Sequence, residues 1–337
     1  MNIILKTIPE YWWNNLTLPV ISAPMFLVSG PKLVKEACLS GIIGSFPAPN
    51  ARPIEVLDQW MGDLNNELNE ARAKDSSRKI APWAMNMVVH SSYSRLESEL
   101  ELLQKHQPQL VITSLGSPKK VVEIVHGYGG LVFSDVSDVD FARKAAQTGV
   151  DGLILVGSGA GGHAGDTNSL AFVDMVREFW DGIIILAGAI STGHGILAAQ
   201  AAGADFAYMG TRFIPATESM ANDDYRQMLV ESTRKDLILT DAFSGVKANM
   251  LVPSIVKEGL DPEKLKKKEK VNFDDMQKES SAKAWRDIWS AGHGVGTIKK
   301  IEPIADIVKT LEKEYEEALE RLNNRTNKWQ KGNAVKN

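Results

Sequence analysis

The sequence predicts an α/β fold, a (β/α)8 TIM barrel with a smaller, mainly helical inserted domain. Three observations carry that expectation. Eight short apolar runs recur between residues 18 and 213, amphipathic segments separate them, and the alternation stops after "MGTRF". Apolar runs with little alternation suit parallel strands covered on both faces. Eight strand–helix repeats suit a closed barrel better than an open doubly wound sheet.

The elements follow in order. An aromatic cluster, "YWWNN" (11–15), precedes the first strand and is expected to cap the bottom of the barrel. Strands are read in "LPVISAPM" (18–25), "GIIGSFPA" (41–48), "IAPWAMNMVV" (80–89) and "QLVITSLGS" (109–117). The series continues with "GLVFSDVS" (130–137), "DGLILVGS" (151–158), "DGIIILAGAIS" (181–191) and "ADFAYMGTRF" (204–213). Helices are expected between them, as in "PKLVKEACLS" and "SRLESELELLQKHQ". "VDFARKAAQTG" and "HGILAAQAAGA" carry Gly149 and Gly203 at their ends, where a chain leaving a helix favours glycine. Residues 1–213 are thus assigned to the barrel and 214–290 to the inserted, substrate-side domain. Residues 291–325 return to the barrel with a long amphipathic helix, and 326–337 form a polar tail.

Composition narrows the function. Lys+Arg total 38 against 42 Asp+Glu, a net charge of −4, so no basic field exists to attract nucleic acid or an anionic membrane. The run "KLKKKEK" (264–270) mixes its charges and reads as solvated surface. Cys38 is the single cysteine, which rules out an intrachain disulfide and fits a reducing compartment, with the thiol itself a small buried helix residue. The start of the chain lacks the pattern of a secretory leader, and no apolar run approaches a bilayer span, so a cytoplasmic location is expected. The histidines, at 90, 106, 126, 163, 194 and 293, are scattered, and neither HExxH nor CxxC occurs, so no metal is expected.

In such a barrel the reactive groups sit on the loops that follow the strands. Here those loops begin "SAPM", "AMNM", "VGSGAGGHAG", "LAGAIS" and "YMGTRF". Gly188-Ala189 and Gly210-Thr211 could cradle a phosphate through backbone N–H groups, the Thr211 hydroxyl and helix dipoles, or could simply be turns. "GSGAGGHAGD" (157–166) surrounds His163 with small residues, so either the backbone turns sharply or a ligand lies against it under an imidazole. No Gly-x-Gly-x-x-Gly opens an early helix, which argues against a Rossmann dinucleotide site.

Taken together, "ISAPMFLVSGPKLVKEACLSGIIGSFPA", "AMNMVVH", "GVDGLILVGSGAGGHAG", "LAGAISTGHGILAAQAAGADFAYMGTRF" and "WSAGHGVGTI" resemble the nitronate monooxygenase (2-nitropropane dioxygenase) family of FMN-dependent barrel enzymes. The resemblance implies FMN as cofactor, with Ala23, Pro24 and Met25 along the ring, Asn86 hydrogen-bonded to it and Gly162 beside it. It implies a phosphate cradle at Gly188, Gly210 and Thr211, with Ala189 adjacent, and His163 as catalytic base. The implied activity is oxidative denitrification of small nitronates or nitroalkanes with O2, giving a carbonyl compound and nitrite. The same scaffold also serves NAD(P)H-dependent quinone and enoyl reductases, which remain the alternative; a flavin-free isomerase or lyase on a phosphorylated sugar and a purely structural role stand further off. Departures from the family pattern are Ser134 where some members carry a lysine near the flavin, Val156 where some carry an aspartate, and His293 where glutamine is usual. Phe26, Trp83, Met87 and Trp285 are expected to line the pocket, His90 and His293 are further candidates for it, and His194 is read as a helix-start or phosphate-proximal residue rather than a second base.

Overall fold

Eight parallel strands close into a barrel in this computed structural model, which describes residues 7–267 and 283–334. Expectations for the start of the chain and for residues 268–270 of "KLKKKEK" fall outside the described residues. The barrel strands are β1 (Val20–Ser22), β2 (Ile43–Pro47), β3 (Trp83–Val88), β4 (Leu110–Ser114), β5 (Leu131–Val136) and β6 (Gly152–Val156). A two-residue strand, β7 (Gly162–His163), leaves the barrel before β8 (Ile183–Ala187) and β9 (Phe206–Met209) complete it. Closure is direct: Ile21 of β1 stands beside Ile43 of β2 on one side and Tyr208 of β9 on the other. Every apolar run read from the sequence contains one of these strands.

Seven helices cross over the outside: α2 (Pro31–Leu39), α3 (Ile54–Lys74), α4 (Leu96–His106), α5 (Lys119–Gly127), α6 (Val139–Ala146), α7 (Ser169–Arg177) and α8 (Gly193–Ala201). Asp138, Asn168 and Thr192 start α6, α7 and α8 by accepting a hydrogen bond from the first turn, as short polar residues do at helix starts. The eighth place in the ring belongs to the long C-terminal helix, α12 (Ile304–Ala334), which packs on α8 and α2. It runs on through most of the segment read as a polar tail.

Side chains alternate across each barrel strand. One parity, including Val111, Val132, Leu153, Leu155, Ile184 and Leu186, packs against the helices. The other, including Ile21, Ile43, Ile112, Phe133, Ile154, Ile185 and Phe206, fills the barrel. Trp12, on the short helix α1 (Glu10–Asn15), is fully buried in that inner cluster beside Leu16, and Trp13 stacks on Phe206 at 5.4 Å. The "YWWNN" cluster therefore does close the barrel's lower end.

The segment after β9 holds α9 (Asp223–Glu231), α10 (Val252–Lys257) and α11 (Lys283–Arg286). It also holds a hairpin absent from the sequence reading, β10 (Leu237–Thr240) and β11 (Ala248–Leu251), joined antiparallel. β11 pairs in turn with β7, matching Ala248 to His163 and Asn249 to Gly162. That small sheet couples the inserted segment to the glycine–histidine loop.

Candidate active site

The last inward-facing residue of nearly every barrel strand meets its neighbours at the C-terminal mouth. Ala23, Pro47, Asn86, Ser114, Asp135, Val156, Ala187 and Tyr208 form the floor of a cavity of about 410 Å³. Loops from the barrel and the inserted segment make its walls. All ten residues singled out from the sequence line it: His163, Ala23, Pro24, Met25, Asn86, Gly162, Gly188, Ala189, Gly210 and Thr211.

The glycine loop lies close against other backbone. A Cβ on Gly161 would stand 2.7 Å from the Gly292 nitrogen and 3.0 Å from Thr211 Oγ1. Gly162 adopts φ +69° and Gly188 φ +114°, conformations that L side chains rarely adopt. Asn249, 1% exposed, clamps the loop from β11 by donating through Nδ2 to the carbonyls of Ser158 (3.1 Å) and Ala160 (2.7 Å). The backbone of "GSGAGGHAGD" turns tightly, and it does so on a cavity wall.

His163 is fixed on three sides. Its backbone is in the β7–β11 pair, its ring meets Trp285 edge-on at 5.5 Å, and its Nε2 lies 3.0 Å from Ser244 Oγ. Ser244 sends its single proton to the Val246 carbonyl at 3.0 Å, so Nε2–H donates to Ser244 and Nδ1 keeps its lone pair. Burial lowers the imidazole from 6.5 to about 4, which keeps it neutral, and therefore a proton acceptor, at physiological pH.

Asn86 donates through Nδ2 to the Ile112 carbonyl and Ser114 Oγ, both at 3.3 Å, which leaves its Oδ1 as an acceptor. Toward β8 and β9 the expected phosphate cradle has fewer donors than the sequence suggested. Ala189 N–H is taken by the Gly159 carbonyl at 3.1 Å and Gly292 N–H by Thr211 Oγ1 at 2.8 Å, a bond that does not use the Thr211 hydroxyl proton. The first N–H of α8, on Gly193, goes to the Glu314 carboxylate of α12 at 2.8 Å, so that helix start is not turned on the cavity. Gly188, Ser191, Gly210, Gly292 and Gly294 complete this end of the lining. Arg212 of "MGTRF" is buried in an ion pair with Glu302 at 3.1 Å.

Other expectations need correction. Phe26 and Trp285 line the cavity; Trp83 and Met87 do not. Trp83 stacks on Phe46 and donates to Asn65, while Met87 points outward into the helix layer. His90 bonds Ser92 beyond the lining, His194 is exposed at the start of α8, and His293 sits behind Gly159 with only its glycine neighbours on the cavity. Ser134 lies within β5 on the parity of Val132, facing the helices; the residue of that strand that reaches the cavity is Asp135. Asp135, Tyr208, Ser244 and Asn249 were missed. For Asp135 a signal existed, since an acid interrupts the apolar run "LVFSDV" at its end.

The sequence profile of the nitronate monooxygenase family matches residues 14–314. A nitronate monooxygenase of Neurospora crassa is 27% identical, covering 92% of this chain and 93% of its own. One of Paraburkholderia phytofirmans is 26% identical, covering 90% and 94%. Among solved structures, a nitroalkane oxidase of Streptomyces ansochromogenes superposes with a TM-score of 0.77 at 23% identity, over 92% of this chain and 99% of that one. FabK of Thermotoga maritima gives 0.76 at 22%, over 95% and 100%. At such identity the two structures speak for the fold alone.

Proposed function

This chain belongs to the nitronate monooxygenase family of oxidoreductases, and from that premise we propose that it is an FMN-dependent enzyme converting alkyl nitronates, and nitroalkanes after loss of an α-proton, to carbonyl compounds and nitrite with O2. The observation that carries the reading is an imidazole, held by Ser244 and Trp285, on the wall of a cavity that gathers the ten cofactor and catalytic residues implied by the family resemblance.

The lining fits a flat ring bearing a phosphate. Small residues at Ala23, Gly162, Ala187 and Gly210 leave planar space, and the Gly161 approach to Gly292 closes one wall so tightly that a Cβ would collide. Ala23, Pro24, Met25 and Gly162 would lie along the ring, and Asn86 Oδ1 would accept a hydrogen bond from the N–H that the ring gains on reduction. Gly188, Gly210, Ser191 and Gly294 would surround the phosphate, Thr211 would donate to it through its hydroxyl, and Ala189 would shape that end through a bond already made. When bound, FMN would supply the redox chemistry with O2.

The chain's own work is proton transfer and exclusion of water. A neutral nitroalkane holds its acidic hydrogen on carbon, and a base must remove it; Nδ1 of His163 has the free lone pair. The resulting imidazolium returns its proton to solvent, since burial disfavours its charge. Phe26, Val28 and Trp285 give the opening an apolar rim suited to a small alkyl group.

The test separates base from cavity. In His163→Asn, kcat/KM for a neutral nitroalkane should fall by about 10²–10⁴-fold, the usual worth of a general base, while the preformed nitronate still reacts. If both substrates react as in the wild type, His163 is not the base. Should the flavin bleach anaerobically with NADH or NADPH and ignore nitronate, the reductase reading takes over.

A further inference from the structure

Two polar atoms on the cavity floor have no partner. Asp135 Oδ1 and the Tyr208 hydroxyl are each closed off from solvent and bonded to nothing, although both residues line the cavity. Tyr208 is 9% exposed; Asp135 is half-buried, opening on the cavity by its remaining surface. An unpaired buried polar group costs about 1–3 kcal/mol, and two on one floor are tolerated where a ligand completes them. The other floor side chains are apolar or, like Asn86 and Ser114, already bonded. The remaining titratable groups of the described lining are His163 and Tyr225, and Tyr225 is committed to the Ser290 carbonyl at 2.6 Å.

We infer that Asp135 and Tyr208 are binding residues for the polar pyrimidine edge of the flavin ring, Asp135 giving a donor and an acceptor side by side and Tyr208 a second donor. This rests on the proposed function, because it takes the occupant to be a flavin. The chemistry is complementary. That edge carries carbonyl oxygens flanking an N–H, and a carboxylic acid matches a carbonyl beside an N–H as a carboxylate cannot. Burial pushes the Asp135 carboxyl up to about 7, so its protonated, donating form is well populated at neutral pH, and burial keeps the Tyr208 phenol protonated. A flat ring laid over the floor would enclose both groups further.

The test is FMN binding to the apo-protein, followed by quenching of flavin fluorescence, in wild type, Asp135→Ala, Asp135→Asn and Tyr208→Phe. One lost hydrogen bond in an enclosed site corresponds to about a ten-fold change. Asp135→Ala should weaken FMN by about ten-fold and Tyr208→Phe by several-fold, while Asp135→Asn, which keeps a donor and an acceptor, stays within about three-fold of wild type. Ribitol 5-phosphate, which lacks the ring, should compete equally well in wild type and Asp135→Ala. Unchanged FMN affinity in Asp135→Ala, or an equal loss of ribitol 5-phosphate, overturns the inference and leaves the function standing. A folded wild type that binds no FMN overturns both. Melting of the apo-proteins keeps the reading clean, since removing an unpaired carboxyl should leave stability unchanged or raised.

Discussion

The imidazole of His163 donates through Nε2 to Ser244, so its free lone pair on Nδ1 depends on a hydroxyl from the inserted segment. Ser244→Ala removes the acceptor and lets both tautomers populate. Loss of one such bond is worth about 0.5–1.5 kcal/mol. We therefore expect kcat/KM for a neutral nitroalkane to fall by several-fold while the nitronate, which needs no base, is unaffected; equal loss on both substrates would show that the hydroxyl serves the cavity instead. The lowered pKa gives a second outcome. Activity on nitroalkanes should stay level as pH falls past 6.5 and decline only toward about 4, where the native imidazole takes up its proton. The sign for stability follows. Between 6.5 and about 4 the unfolded chain binds a proton there that the native chain does not, so acidification through this window removes stability. Measured by urea unfolding across the window, His163→Asn should show a shallower loss than wild type.

Among elements, the β7–β11 pair decides whether the glycine loop keeps its shape. Asn249 satisfies two loop carbonyls, and in Asn249→Ala those oxygens lose their donor in a buried setting. The cost should be about 1–3 kcal/mol, seen as a lower urea midpoint and faster amide exchange at Gly161–His163. Asn249→Ala that exchanges like the wild type would show the loop to be held by the barrel alone. This clamp was not legible in the sequence. β10 and β11 are four residues each, and β11 finds its second partner in a two-residue strand far away in the chain. No local period records such a pairing, which tertiary packing imposes. The barrel strands were legible because both their faces are buried, so each is an unbroken apolar run. Their C-terminal ends then brought the ten named site residues to one mouth. Side-chain parity was the part misread: alternation through Leu131, Phe133 and Asp135 puts the acid inward and Ser134 outward. The cradle's hydrogen bonds were unreadable for another reason, since Glu314 and Gly292, which occupy its donors and acceptors, come from beyond the inserted segment.

For the molecule as a whole, the mouth of the barrel can be open and rich in glycine because the opposite end is sealed. Inward layers of Ile, Leu and Phe fill the interior, and Trp12 closes the base with no exposed surface. Its indole N–H has no acceptor, so the plug works by packing and not by hydrogen bonding. The two contributions separate by substitution. Trp12→Phe keeps an aromatic ring and removes the unpaired donor, whose burial costs free energy and partly offsets the lost volume; stability should stay within about 1.5 kcal/mol of wild type. Trp12→Ala leaves a void at the point where the strand starts converge, and should cost about 3–5 kcal/mol, read from urea unfolding. Because the plug lies at the far end of the strands from the cavity, FMN affinity of the folded Trp12→Ala protein should match wild type. A loss of affinity without a loss of stability would mean that the two ends of the barrel are mechanically coupled, and that the inner layers shift as one body when the base is opened.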